Sequence, residues 1–289
     1  MHGLYRHLIL ALVAALLLQG CSAVRLGYGN ADSLARWWID QYLDLSPEQD
    51  ALTRERLARL TVWHRKTQLP DYVALLRQGK AFATGQPKVG DALALSDELI
   101  RRVRVLAEQA TPDVADLMAT LTLAQIDRMA ARFTEKNADL AEEMRLAEDD
   151  AAQNKVRYKR LLERAEYWLG DFSNGQESAL RRMVEAQDPG GQFWYEERLR
   201  RQRELLELMR QVQRDRPPRE RVIVLLRDYT ARFDLPADPA RRARALAMRR
   251  ASAELTVAIL AMATPAQRVH VGQKFDDLIH DFTELSKAE

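Results

Sequence analysis

The sequence predicts an all-α fold, a multi-helix bundle or cradle of about ten helices that includes one long central helix. Apolar residues recur at spacings of three and four over most of the chain, as one buried helix face requires. Glycine and proline fall between segments of helical composition. Strand signals are missing, because no alternating runs of Val, Ile and Thr are joined by hairpin turns.

The apolar periodicity and the breaks between periodic segments place the predicted helices along the chain. The longest, 122–169, keeps an apolar stripe from Ile126 to Trp168 without Pro or Gly. Unbroken, it would extend ~70 Å at 1.5 Å per residue. The acidic patch Glu148-Asp149-Asp150 is the predicted place for a bend. The predicted helices are 31–43, 47–68, 70–83, 90–109, 112–120, 122–169, 174–187, 191–214, 218–233, 238–262 and 265–287.

The N-terminus carries a processing signal. The apolar run Leu8–Leu18 has 11 residues, the length of a signal-peptide core and short of the ~20 that span a bilayer. It ends in Leu18-Gln19-Gly20-Cys21, which resembles the lipobox of bacterial lipoproteins, with lipid expected on Cys21, the only cysteine. Gln19 departs from the small or hydroxyl residue usual there. The alternative is an ordinary secretory signal with an incidental cysteine.

This signal gives the predicted domain organisation. Residues 1–20 are a lipoprotein signal peptide, 21–30 the lipidated cysteine and a short tether, and 31–289 an all-helical domain with two similar halves dividing near residue 170. Removal of 1–20 leaves 43 basic and 42 acidic side chains, a net charge of +1. That balance argues against nucleic acid as a partner, so the membrane anchor and envelope proteins are the expected partners.

A Ser/Thr-x-x-Gln pattern occurs four times and predicts helix starts. In this capping box the hydroxyl accepts a hydrogen bond from the N–H three residues on, and the Gln side chain accepts one from the cap residue's own N–H. Capping alone suffices to explain these residues. The four pairs are Ser46 and Gln49, Thr122 and Gln125, Ser173 and Gln176, and Thr264 and Gln267.

One copy carries a resemblance. Leu121-Thr122-Leu123-Ala124-Gln125 resembles the LTxxQ segment of Spy-type periplasmic chaperones, which are all-helical, cradle-shaped and bind unfolded clients on a concave face. The resemblance covers about 20 residues per copy, and Ser173-Asn174-Gly175-Gln176 fits it poorly. Because two copies fall in each half of the chain, an ancestral duplication is a hypothesis.

A second resemblance covers the whole mature chain. Tyr28-Gly29-Asn30-Ala31-Asp32, Trp37-Trp38-Ile39-Asp40, Trp63-His64-Arg65 and Leu69-Pro70 occur in this order, which resembles a family of Gram-negative lipoproteins known only as a domain of unknown function. The resemblance implies a lipidated envelope protein and no particular activity. Ser22 after the cysteine is typical of lipoproteins released to the outer membrane.

Candidate chemistry is sparse. No nucleophile motif occurs, and His280 with Asp276, Asp277 and Asp281 could hold a divalent cation, although an amphipathic helix with its acids in water explains them as well. We therefore predict no catalytic residue, metal or cofactor. Adjacent aromatic residues suggest a possible binding surface, although Trp37 and Trp63 are favoured as core positions. The residues of that possible surface are Trp38, Trp63 and His64.

Together these features lead us to expect a non-catalytic lipoprotein on the periplasmic face of the outer membrane that binds protein clients in a chaperone-like manner. One alternative is a structural scaffold with one specific envelope partner. A second is an enzyme that acts on envelope polymers through paired carboxylates. The sequence does not indicate an oligomeric state.

Overall fold

The computed structural model describes residues 23–188 and 190–287, and within them the chain forms twelve α-helices and no strand. The predicted all-α class is therefore confirmed. The signal peptide and Cys21 lie outside the described residues. The helices are α1 Ala23–Gly29, α2 Ala31–Leu43, α3 Pro47–Thr67, α4 Leu69–Thr84, α5 Val89–Thr120, α6 Leu123–Glu143, α7 Asp150–Leu169, α8 Asn174–Glu185, α9 Gly191–Asp215, α10 Arg219–Ala231, α11 Pro239–Ala261 and α12 Pro265–Lys287.

The long helix predicted over 122–169 is wrong, because the chain breaks between α6 and α7. Arg145 takes a left-handed conformation with φ of 54°. The Leu146 N–H then donates to Ala141 O at 3.0 Å, which closes the C-terminus of α6. Asp149 starts α7 by accepting a hydrogen bond from the Ala152 N–H at 2.9 Å. The break thus falls at the predicted bend, where an acidic residue is a better cap than an interior helix residue.

The central helix is instead α5, which has 32 residues and joins two segments that the sequence predicted as separate helices. Pro112 lies inside it and removes one N–H from the ladder. The Thr111 hydroxyl donates to Ala107 O at 2.7 Å beside that position. Because α5 packs against α3, α4, α9, α10 and α11, tertiary contacts offset the cost of the proline.

Two hydrophobic cores are interleaved along the chain. The first core combines residues 43–126 with 208–226, and the second combines Ala83 with 158–184 and 255–271. The cores are therefore not separated at residue 170, because helices from both sides of that position contribute to each. The first core contains Leu43, Ala115, Met118, Leu121, Ile126, Leu208, Met209, Val212, Val222 and Leu226. The second contains Ala83, Tyr158, Ala165, Leu169, Phe172, Leu180, Val184, Leu255, Ile259, Leu260 and Val271.

The N-terminal segment is helical where the sequence predicted a short tether, since α1 already begins at Ala23. Two contacts hold α1 against the bundle. Arg25 Nε donates to Asp281 Oδ1 of α12 at 2.7 Å, and the Tyr28 hydroxyl lies 2.7 Å from His64 Nδ1 of α3. Among the described helices, none combines the length and the apolar character that a membrane span needs.

The C-terminal helix α12 packs along α4 at close range. A Cβ built on Gly79 of α4 would lie 2.9 Å from the Phe275 ring of α12, so only glycine lets the two helices approach this closely. By contrast, a Cβ on Gly90 of α5 would meet nothing within 4 Å.

We predict that Gly79→Val lowers the free energy of unfolding by about 1–3 kcal/mol, because the added methyl groups force Phe275 aside. Urea unfolding followed by circular dichroism measures the change. Gly90→Val is the matched control and should be neutral or slightly stabilising, since valine is the better helix former. Equal effects at the two positions would contradict the close packing of α4 on α12.

Candidate functional site

All four Ser/Thr-x-x-Gln motifs form reciprocal caps. The N–H of each cap residue donates to the Gln Oε1 at 2.9–3.0 Å. Each Gln N–H in turn donates to the cap hydroxyl at 3.2–3.4 Å. Leu121 and Phe172, which precede two of the caps, are buried in the first and second core. Each of these two apolar residues thereby ties a helix start to a core.

The four caps also join in two pairs, which the sequence did not predict. Gln49 and Gln125 hydrogen-bond each other side chain to side chain, with Gln125 Nε2 2.6 Å from Gln49 Oε1. Gln176 Nε2 likewise lies 2.8 Å from Gln267 Oε1. Helices α3 and α6 therefore meet at their N-termini beside the first core, and α8 and α12 meet at theirs beside the second.

The two pairs share one further contact. Every glutamine Nε2 donates to the main-chain carbonyl two residues before its partner's cap. Gln49 and Gln267 are buried away from water, so their Nε2 groups need hydrogen-bond partners within the protein, and these carbonyls supply them. The carbonyl acceptors are Thr120 O for Gln49 at 3.0 Å, Asp44 O for Gln125 at 3.1 Å, Met262 O for Gln176 at 3.0 Å and Asp171 O for Gln267 at 2.9 Å.

This geometry explains why glutamine occupies all four positions. A capping box accepts Glu as well as Gln, because only the carboxyl or amide oxygen is used. The cross-pair contact needs the Nε2 donor, which Glu lacks. A carboxylate there would also face a main-chain carbonyl oxygen, which repels it.

The predicted aromatic surface is divided by the fold. His64 is half-buried between two tyrosines, with Nδ1 2.7 Å from the Tyr28 hydroxyl and Nε2 3.3 Å from the Tyr72 hydroxyl. Trp63 packs edge-on against His64. These residues join α1, α3 and α4, so His64 has a structural position.

Trp38 lies elsewhere, on the outer face of α2, where it is 57% exposed. The core position expected for Trp37 is wrong, since Trp37 is 59% exposed on the same face. The spacing of apolar residues in α2 predicts one buried face. The face that is buried is the one with Leu43, which lies in the first core, and Trp37 is not on it.

The acidic cluster near the C-terminus does not converge. Asp276 accepts hydrogen bonds from Lys80, and Asp281 is buried and accepts one from Arg25. In residues 23–188 and 190–287, no group of three or more His, Cys, Asp or Glu side chains is arranged to hold a metal ion.

An apolar groove between α5, α9, α10 and α11 is the strongest candidate site. Its volume is about 890 Å³, against 240–430 Å³ for four other cavities. Ligand pockets commonly fall between about 300 and 1,000 Å³. Ile100, Val103 and Ala107 of α5 form one wall, because spacings of three and four place them on one helix face. Trp194 and Phe233 contribute to the opposite side.

The groove leaves large apolar side chains in contact with solvent. Val103 is 54% exposed and Phe233 is 46% exposed. Phe233 is fixed in place by Arg201, whose guanidinium lies 4.7 Å from the ring centroid and whose Nη1 donates to Phe233 O at 3.2 Å. The Tyr229 hydroxyl donates to Arg201 O at 3.1 Å and ties α10 to α9. These contacts fix Phe233 and α10 against α9 on one side of the groove.

The charges around the groove fall into two kinds. Burial and the neighbouring Arg200 lower the pKa of the Arg201 guanidinium, whose hydrogen bonds go to main-chain oxygens. The remaining arginines around the groove are in ion pairs between different helices or loops. These ion pairs are Arg104 with Asp234 at 2.7 Å, Arg227 with Glu108, and Arg249 with Asp97.

Sequence reasoning missed the groove. The signal available was the apolar series on α5, but a buried helix face gives the same series. Only the arrangement of α9 and α10 leaves it uncovered.

The chain matches the model of one known protein family. DUF6279, a family of unknown function, matches residues 41–231, which is about two thirds of the chain. The protein therefore belongs to this uncharacterised family. The match is narrower than the range 21–289 over which the sequence resemblance was expected, and it contains the groove-forming segments of α5, α9 and α10. No curated protein and no solved structure matches the chain.

We predict that Gln49→Glu and Gln267→Glu each lower the free energy of unfolding by about 2–3 kcal/mol, because each buries an unpaired carbonyl and a carboxylate. Urea unfolding measures the loss. A loss of stability distinguishes the cross-pair contact from simple capping, because Glu at the third position of an isolated helix start would leave the free energy of unfolding unchanged or raise it. Gln78→Glu, at an exposed position of α4, is the control. A neutral Gln49→Glu would contradict the cross-pair contact.

We also predict a pH dependence from His64. Burial lowers the pKa of its imidazole below the ordinary 6.5, so the unfolded chain binds the proton more readily than the folded one. The contribution to stability is complete above pH 6.5 and is lost as the pH falls through the folded-state pKa. Urea unfolding between pH 7.5 and 5 should show this loss.

His64→Gln serves as the test variant. It should cost about 1 kcal/mol at pH 7.5 through weaker contacts with Tyr28 and Tyr72. Its unfolding free energy should then fall less steeply than that of the parent chain as the pH is lowered. An unchanged slope would contradict the assignment.

Proposed function

We propose that this protein is a lipid-anchored envelope protein that binds exposed apolar segments of protein clients in the groove between α5, α9, α10 and α11. The observation that carries the proposal is the uncovered apolar wall of Ile100, Val103 and Ala107 opposite Phe233. Unfolded or partly folded chains expose short apolar segments of the kind that such a surface buries.

The charges around the groove suit the binding of an apolar segment. The ion pairs at its edges neutralise their own charges, so an apolar segment meets little desolvation cost from them. Arg201 remains near the floor with its charge directed at carbonyl oxygens. A carboxylate or carbonyl of a client could add to these contacts.

The anchor is the second part of the proposal. Cys21 follows a short apolar run and precedes α1 by two residues. A diacylglyceryl group on Cys21, with Ser22 next to it, would hold the protein on the periplasmic face of the outer membrane. Clients would then be envelope proteins.

We expect the full chain to suppress aggregation of chemically unfolded clients and Val103→Glu to weaken this protection about tenfold, because the substitution puts a charged side chain on the apolar wall that a client segment would cover. Light scattering of several unrelated clients at substoichiometric ratios measures it. Val114→Glu, on the same helix but outside the groove, is the matched control, since Val114 is 42% exposed.

The outcomes separate the candidate functions. Protection of unrelated clients that depends on Val103 supports the proposal. Absence of protection, with capture of one dominant envelope protein at fixed stoichiometry, would favour a structural scaffold instead.

A further inference from the structure

Helices α1 and α2 leave four large apolar side chains exposed to solvent. Leu26 of α1 is 67% exposed, and Leu34, Trp37 and Trp38 of α2 are 54–59% exposed. Leu34, Trp37 and Trp38 share one face of α2 because they are spaced by three and four residues. We call these four residues the N-terminal stripe. Helices that face only water rarely present two tryptophans and two leucines together.

The two arginines of the same helices are turned towards the protein. Arg25 pairs with Asp281 of α12 at 2.7 Å, and Arg36 pairs with Asp50 of α3 at 2.7 Å. Tyr28 adds its hydrogen bond to His64. These contacts fix the rotation of α1 and α2, so the N-terminal stripe is held outwards by the fold.

The position of the stripe in the chain identifies its partner. Helix α1 begins at Ala23, two residues after Cys21. Trp38 is 15 residues beyond Ala23, which is ~23 Å or less along helices that rise 1.5 Å per residue, and the two steps from Cys21 add at most ~7 Å. A lipid on Cys21 would therefore bring the stripe within reach of the headgroup layer.

The chemistry of the stripe fits that layer. Tryptophan concentrates at membrane–water interfaces, since its ring is apolar and its N–H stays hydrogen-bonded. Leucine and tryptophan on one face are typical of helices that lie in the interface plane. The Trp38 ring also packs against Tyr42 at 4.8 Å between centroids, which keeps it in place on the helix surface.

We propose that the N-terminal stripe is a membrane-contacting surface that lays α1 and α2 on the lipid bilayer beside the anchor. The proposal rests on the proposed function, because the lipid on Cys21 is what places α1 and α2 near the bilayer. It sets the orientation of the protein on the membrane. Because Arg25 and Arg36 already have carboxylate partners, the contact is insensitive to salt and to the fraction of anionic lipid.

Tryptophan quenching by brominated lipid tests the proposal. The chain has five tryptophans, so two complementary full-chain variants isolate the reporters. In the first, Trp63, Trp168 and Trp194 are changed to Phe and only the stripe emits. In the second, Trp37 and Trp38 are changed to Phe. Both are reconstituted in phosphatidylethanolamine/phosphatidylglycerol vesicles with and without brominated acyl chains.

We expect brominated lipid to lower the emission of the first variant about twofold or more and to leave the second nearly unchanged. Raising NaCl from 0.1 to 0.5 M should not alter the quenching. Equal quenching of both variants, or none of the first, would overturn the proposal. Circular dichroism and the unfolding midpoint confirm that both variants fold.

Two further measurements separate this proposal from its alternatives. Sedimentation of the first variant detects a second copy on the stripe, and a dimer with no lipid quenching overturns the proposal. Mass spectrometry of the purified chain shows whether Cys21 carries lipid. A lipidated chain without stripe quenching overturns this inference alone, whereas quenching without lipidation supports the stripe and contradicts the anchor.

Discussion

The reciprocal hydrogen bond between two glutamine side chains is the contact around which the described fold is organised. A helix N-terminus presents unpaired N–H groups and a partial positive charge, so two of them do not meet without compensation. In each pair, a neutral amide oxygen accepts from its own cap and from the partner's Nε2. The Nε2 of each glutamine also donates to a main-chain carbonyl two residues before the partner's cap, as Gln49 Nε2 does to Thr120 O. In each pair, two glutamine side chains thus provide partners for two cap N–H groups and two main-chain carbonyls. A hydrophobic core lies beside each pair.

The interleaving of the two cores explains where the groove lies. Helix α5 gives Ala115 and Met118 to the first core and contributes no residue to the second. Its middle section, from Ser96 to Glu108, therefore runs alongside the bundle with one apolar face uncovered. Arginines of α9 hold the chain after α10 by its carbonyls, so that segment forms a fixed opposite wall. The groove is a consequence of how the cores divide the helices.

Much of this architecture could be predicted from the sequence, and the failures have physical causes. Local signals gave the helix class and all four caps, because capping is decided within four residues. The pairing of Gln49 with Gln125 depends on residues 76 positions apart, which no local pattern encodes. Separate helices were predicted over 90–109 and 112–120, but packing against five neighbouring helices keeps α5 continuous through Pro112. Trp37 was expected in the core because an apolar stripe does not say which face of the helix is covered.

The charges near the exposed apolar surfaces are mostly paired within the protein. The chain is nearly neutral, and the arginines of α1, of α2 and of the groove, apart from Arg201, are paired with carboxylates, so these surfaces offer little net field to a partner. Selectivity at such surfaces comes from apolar area and its shape, since paired surface charges contribute little. The groove and the N-terminal stripe meet that condition at two separate places. If the stripe faces lipid, α1 and α2 fix how the bundle is turned above the membrane. The direction in which the groove opens relative to the membrane then follows from Arg25, Arg36 and Tyr28, whose contacts set the rotation of those two helices.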